Sequence, residues 1–538
     1  MLVAQLSALL GLLVSAASAA FQGPFHFDQL TTHDTHAALP PGLNSTFRQR
    51  YWVDTARSYA NGPVLFVDAA DKPGEAAVYA AEHGIVEHLA DAVSATIIVL
   101  EQRYYGQSYV APNLTVANLQ LLNTEEALED IAYFAAHFPY KAHPGLTSSI
   151  RPDKTPWIAY GSWVAGSKAA FLRARYPDTI WGAIASSAPL LAVENVWQYL
   201  EAIRLRADPL CVQVITTVVG EVDAEIAQAG LDDDGEIVLT SKLEYYRDLF
   251  NLTRERTVRD FMNQVATPLG LWQRRSWNPA LEDHAAWEGF CRNLTRGIAL
   301  EDPGRTGRGG LEYQYLDPRQ ELQFRTQSMS NYAYYIRHYL AVGHQRDPSQ
   351  TRMDMNAFDQ HDQVSIMGEI RRNRTESQKT DLGQVWRLWY WQACTEWGYF
   401  STAEPAPLPA MLSRSLNLYY LTEVCRFAFN FPDDYRVPVE RINQYGNVTL
   451  EAPRLLFVNG ELDPWLDITA HSPLAGDLRE RNGDGVLLRN HGYGSDKSAL
   501  RQLEEEPVDV RLAHQEEIET VKSWIAAWKE GSDELEEL

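Results

Sequence analysis

The chain has 538 residues, too many for one small core and enough for a large domain carrying an insertion. Apolar residues make up 45% of it without a long low-complexity tract, which excludes a disordered chain. A formal net charge of −24 excludes the basic face that nucleic-acid binding needs.

Residues 1–20 read as a signal peptide: an apolar run, Leu9 to Val14, leads into the small residues Ser15 to Ala20. That run is too short to span a bilayer, and no later segment approaches ~20 uninterrupted apolar residues, so no membrane span is expected. The expected destination is the secretory route, ending outside the cell or in a lysosome or vacuole. Six Asn-X-Ser/Thr sequons follow, at Asn44, Asn113, Asn251, Asn293, Asn373 and Asn447, as candidate glycosylation sites. The four cysteines, Cys211, Cys291, Cys394 and Cys425, suggest two disulfides. Three pairings are open, and the expected one joins Cys211 to Cys291 and Cys394 to Cys425. No CxxC pair or histidine-rich cluster suggests a metal. No cofactor is implied.

Between residues ~60 and ~190, strand-like runs alternate with helical stretches. Val64–Val67, Thr96–Leu100 and Trp157–Tyr160 read as buried strands. A helix is predicted from Asn123, an N-cap with Glu126 three residues on, and Leu128, Ile131, Ala135 and Phe138 fall on one face of it. This alternation implies a mostly parallel sheet covered on both faces. Residues ~196 to ~435 are rich in Trp, Tyr, Arg and acidic residues at helical spacing and hold all four cysteines; they read as a helical insertion. Strand patterns return at Leu455–Val458 and Val486–Leu488. A last helix carries Ile518, Val521, Ile525 and Trp528. The expected organisation is a signal peptide (1–20), the first part of an α/β-hydrolase domain (21–195), a large helical cap (196–435) and the second part of the domain (436–538).

A sharp strand-to-helix turn that presents a nucleophile needs small residues two before and two after its tip, because the backbone crowds itself there. In Tyr160-Gly161-Ser162-Trp163-Val164-Ala165-Gly166 that rule places the tip at Trp163, flanked by Gly161 and Ala165. Tryptophan has no nucleophilic atom. Ser162 lies one position out of register, flanked by the bulky Tyr160 and Val164. Downstream, Asp463 sits in a turn directly after a buried strand, as the acid of such a triad would. His491, on the Arg489–Asp496 loop, is the candidate base.

The chain resembles the lysosomal prolyl carboxypeptidase and dipeptidyl peptidase II family of serine peptidases, including its secreted fungal acid prolyl members. The resemblance is carried by Phe47 to Val53, Glu101 to Ser108, Asn113 to Thr115, Pro156 to Ile158, Tyr176 to Asp178, Trp181 to Ser187 and Asn459 to Trp465. It implies an α/β-hydrolase domain roofed by a helical insertion, and peptide cleavage beside proline. It also implies that the catalytic positions have changed. The family elbow, Gly-Gly-Ser-Tyr-x-Gly, puts its serine on Trp163. The family Gly-x-His-x-Ser-Asp stretch puts its histidine on Tyr493 rather than His491. The acid alone matches, at Asp463. Gln102 replaces a family histidine, and Ala70-Asp71 stand where the family has Gly-Glu.

The expected protein is therefore an impaired relative of a prolyl-specific peptidase, with a peptide or protein ligand, proline-containing by analogy. Asp71, Tyr104 and Tyr105 are candidates for substrate contact. The alternative is an active peptidase using Ser162, Asp463 and His491 in shifted register. A third reading, some other chemistry built on Asp463, Asp71, Tyr104, Tyr105 and Tyr493, has no reaction specified by the sequence. A homodimer is allowed but not specified.

Overall fold

The computed structural model describes Phe21 to Glu536, except residues 37, 58–61, 144, 147–148, 234, 254–256, 282–283, 299–316, 344–378 and 477–483; side chains are not described at 339–343 and 531–536. The expected signal peptide and Asn373 lie outside the described residues.

Eight strands form the main sheet: β1 (Phe21–Leu30), β2 (Thr46–Asp54), β3 (Val64–Asp68), β4 (Thr96–Leu100), β5 (Trp157–Ser162), β6 (Gly182–Ser186), β9 (Leu455–Gly460) and β10 (Asp484–Leu488). Two short strands, β7 (Val193–Asn195) and β8 (Gly398–Phe400), pair separately in parallel. The main order is β1-β2-β4-β3-β5-β6-β9-β10, with β2 antiparallel to both neighbours and every pairing beyond it parallel. This is an α/β-hydrolase sheet. β5 shows why its strands read as continuous apolar runs. Trp157 and Ala159 join the core on one face, Ile158 and Tyr160 that on the other, so neither face is wet.

The helix predicted from Asn123 runs Thr124–Ala136, and the Asn123 side chain accepts from the Glu126 amide at 2.9 Å. The return half of a capping box is not made. The Glu126 carboxylate instead takes the His33 amide at 3.1 Å and pairs with Arg103 at 2.9 Å. Asn123→Ala is expected to cost about 1 kcal/mol, read from a shift in the urea midpoint at unchanged slope.

The segment Glu101 to Ser108 is explained by burial. The Glu101 carboxylate accepts from Arg50 Nε (2.9 Å), the Gly74 amide (2.8 Å), the Gln107 amide (3.0 Å) and Ser108 Oγ (2.7 Å). Gly106 is at φ 55°, and a Cβ there would lie 1.8 Å from Glu101 Oε1, so this turn requires glycine. Arg103, wholly buried, clamps Asp130 through Nε at 2.7 Å and Nη2 at 2.6 Å.

Between β7 and β9 the described chain is helical apart from β8. Both disulfides lie in this stretch and pair as expected, Cys211 with Cys291 and Cys394 with Cys425. No helix among the described residues is long and apolar enough to cross a membrane. Of the described sequons, Asn44 and Asn251 are exposed, while Asn113, Asn293 and Asn447 are half-buried.

Candidate active site

The elbow is intact as a piece of backbone. Trp163 stands alone between the end of β5 and the helix Val164–Arg175, at φ 63°, ψ −134°, a conformation that L-residues rarely adopt. Its amide donates to the Ser186 carbonyl at 3.1 Å, and its carbonyl accepts from the Ser167 amide at 3.0 Å. A Cβ on Gly161 would fall 2.3 Å from the backbone of Ala165, the crowding that makes small flanks necessary.

What the elbow presents is an indole packed among other rings. Trp163 is 5% exposed. Its ring centroid lies 4.5 Å from Trp465, 5.9 Å from Tyr399, 6.1 Å from Tyr493 and 6.5 Å from Trp389. Trp465 continues the cluster to Tyr199 at 4.8 Å. Tyr493, at the position matching the family histidine, thus meets Trp163, at the position matching the family serine, edge to face. Trp163 Nε1 is buried without a hydrogen-bond partner.

Asp463 is fully buried. Its Oδ1 accepts from the Trp465 amide at 3.0 Å, and its Oδ2 has no partner. Burial pushes its carboxyl up to about 7, against the lowering effect of the Trp465 amide and the Ser187 hydroxyl. The shifted triad is not assembled. Ser162 Oγ is buried without a partner, beside Gly494. His491 Nδ1 bonds the Arg489 carbonyl of its own loop at 2.7 Å. No hydrogen bond joins Ser162, Asp463 and His491 to one another.

Tyr104 and Tyr105, expected as substrate contacts, are buried. They are 1% and 2% exposed. The Tyr104 hydroxyl donates to the Asn118 carbonyl and that of Tyr105 to Gln392 Oε1 at 2.9 Å. Both hydroxyls are thus hydrogen-bonded within the fold. Asp71 is also buried, in electrostatic contact with Tyr105. Sequence reasoning missed Tyr199, Trp389 and Tyr399, which the insertion brings to the elbow. Its aromatic richness was the only signal that could have found them.

The family profile described as Serine carboxypeptidase S28 matches residues 41–275 and 326–481. Among curated relatives, a "Probable extracellular serine carboxypeptidase" of Arthroderma benhamiae is 29% identical over 531 residues, which is 93% of this chain and 66% of that protein. The chain thus spans just under two thirds of that relative's length. The mouse "Thymus-specific serine protease" is 27% identical over 492 residues, 89% of this chain and 84% of that protein. Among solved structures, a lipase in its open form aligns at a TM-score of 0.29 and 11% identity, covering 94% of this chain and 99% of that one.

Proposed function

Since the chain belongs to the serine carboxypeptidase S28 family, we propose that it keeps the family's scaffold but not its hydrolytic chemistry, and acts as a secreted, glycosylated peptide-binding relative. The observation that carries this reading is Trp163 at the tip of the elbow, wedged against four other aromatic rings. An indole Nε1–H is a donor only and cannot attack a carbonyl. The base is missing as well, since Tyr493 occupies its position and His491 is bonded into its own loop. Asp463 then has no imidazole to orient. Below about pH 7 burial keeps it protonated, so it carries no charge to stabilise an imidazolium. The two disulfides and the likeness to a protein named as extracellular support secretion, with a lysosome or vacuole as the other end of the same route. The ligand in this reading is a peptide, proline-containing by analogy with the family, met between the sheet and the helical roof at 196–435.

The test uses protein secreted from a eukaryotic host, a panel of proline-containing chromogenic peptides and pH 4 to 7. No turnover and no labelling by a fluorophosphonate probe are expected. Trp163→Ser alone should recover little, because triad members act as a unit. Adding Tyr493→His should recover more, since it restores a base and gives Asp463 a partner. Wild-type turnover abolished by Ser162→Ala would sink this reading and establish the shifted-register peptidase instead.

A further inference from the structure

The C-terminal helix (Val508–Glu536) buries a histidine, His514, beside Ala513 of its core face, and Glu506, just before the helix, is buried against it. Both side chains are shut off from solvent, at 0% exposure each. All four of their ring and carboxyl heteroatoms are bonded. His514 Nε2 meets the Asp496 carbonyl at 2.7 Å, and its Nδ1 meets Glu506 Oε2 at 2.8 Å. Glu506 Oε1 takes the Leu500 amide at 2.7 Å. The pair therefore joins the helix to the segment Asp496 to Leu500.

These bonds fix how many protons the closed pair must hold. A backbone carbonyl only accepts, so Nε2 carries a hydrogen. The contact between Nδ1 and Oε2 needs one more, because an imidazole lone pair and a carboxylate oxygen are both acceptors. Whether that hydrogen rests on the ring or on the carboxyl, the closed pair holds one proton beyond a neutral imidazole and an ionised carboxylate. The groups around the pair have their own partners or charge. Asp496 Oδ2 takes the Tyr160 hydroxyl at 3.0 Å and Oδ1 the Ser186 hydroxyl at 2.6 Å. Glu517, three residues on along the helix, lies within electrostatic reach of Glu506. Arg511 donates to the Glu504 carbonyl at 3.2 Å. From the helix Ile85–Val93, which packs on the C-terminal helix, His88 bonds the Leu500 carbonyl at 2.9 Å, while Glu87 and Asp91 are turned to Arg57.

We propose that Glu506 and His514 form a clasp that works with a single proton, holding the C-terminal helix to the 496–500 segment firmly in mild acid and less firmly on either side of it. That segment continues the 489–496 loop, which carries Tyr493 against Trp163. Trp163 and Ala513 belong to cores on opposite faces of the sheet, so the clasp steadies the elbow cluster from behind. It does so whether or not the chain hydrolyses peptides.

The sign follows from counting protons. Once opened to water, a glutamate and a histidine titrate near their ordinary values of about 4.3 and about 6.5. Between those values the open pair also holds one proton, so opening neither takes one up nor releases one. Above about 6.5 the open pair loses its proton, and rising pH favours opening. Below about 4.3 the open pair gains a second, and falling pH favours opening. Glu506→Gln changes the count. The glutamine amide donates to a neutral Nδ1 while its carbonyl still accepts the Leu500 amide, so the closed pair holds no titratable proton. Opening this variant takes a proton up below about 6.5 and is indifferent to pH above it.

The test is amide hydrogen exchange of the whole protein, with protection factors for residues 496–500 corrected for the intrinsic pH dependence of exchange, from pH 3.5 to 8.5. Wild-type protection should be highest between about pH 4.3 and 6.5 and fall above that, approaching about tenfold per pH unit. Protection in Glu506→Gln should instead rise up to about pH 6.5 and then hold level. The ratio of wild-type to variant protection should thus fall more than about a hundredfold between pH 5 and pH 8. The other buried carboxyls are present in both proteins and cancel in that ratio. A ratio that stays within about tenfold would overturn the proposal. If Glu506→Gln does not fold, the wild-type profile decides alone, since protection that moves in one direction across the whole range would also overturn it.

Discussion

Moving from about pH 4.5 to about pH 7 is expected to lower the unfolding free energy by several kcal/mol. Three buried carboxyls drive this. Asp463, Glu396 and Glu404 are each pushed up to about 7, and burial is the leading cause in each case. Glu396 is raised even though the Thr124 amide (2.9 Å) and hydroxyl (3.0 Å) donate to it. A folded state that holds protons the unfolded chain would release is favoured by acid. Its advantage is complete below the ordinary carboxyl range and is lost as the pH rises through that range to about 7. At about 1.4 kcal/mol per pH unit per proton, each carboxyl costs on the order of 3 kcal/mol by pH 7. Urea midpoints measured from pH 4.5 to 7.5 should fall throughout, and Glu396→Gln should make the decline shallower. A midpoint that rose with pH would mean that these groups are ionised in the folded protein.

Trp163→Ala is expected to destabilise the fold by about 3–5 kcal/mol, the range for emptying a packed aromatic site. The ring contacts Trp465, Tyr399, Tyr493 and Trp389, which belong to the acid loop, the insertion and the loop matching the family histidine, so its loss leaves a hole where these parts meet. Trp163→Gly separates packing from backbone strain. Glycine tolerates φ 63° with ψ −134° where alanine does not, and a residue held in such a region costs roughly 1–3 kcal/mol. The glycine variant should therefore be the more stable of the two, despite losing one more carbon. Chemical denaturation at a fixed acidic pH reads both. Alanine and glycine variants of equal stability would show that the elbow relaxes once the indole is gone, and a small loss in both would show that the cluster repacks.

The sheet was legible where its strands are buried on both faces. Val64–Val67, Thr96–Leu100, Trp157–Tyr160 and Leu455–Val458 all lie inside strands, because a strand with two dry faces must be apolar throughout. β1 escaped because its pairing shifts register between Gln22 and Phe25, which breaks the alternation that would have marked it. β6 is Gly-Ala-Ile-Ala-Ser, too small in its side chains to resemble a strand core, and showed only through the family resemblance. The elbow was legible because crowding restricts which residues can flank it, and that restriction survives whatever residue sits at its tip. The aromatic partners were not, since Trp389 and Tyr399 come from more than 220 positions downstream and nothing local marks where the insertion lands. Glu517, wholly buried on the helix Val508–Glu536, was hidden for the opposite reason. On a helix with many exposed acids, one more glutamate reads as a solvated face until packing turns it inward.

Three indoles tie the insertion to the loops below it. Trp272 Nε1 donates to the Leu462 carbonyl at 2.9 Å, Trp277 Nε1 to the Ser495 carbonyl at 2.7 Å, and Trp465 Nε1 crosses the other way to Gln273 Oε1 at 3.0 Å. Each stitch satisfies a backbone or amide group that would otherwise lie bare at the seam. Excising residues 196–435 would therefore not release a self-sufficient hydrolase core. The two halves should melt in one cooperative transition, and a truncated chain should be recovered only as aggregate.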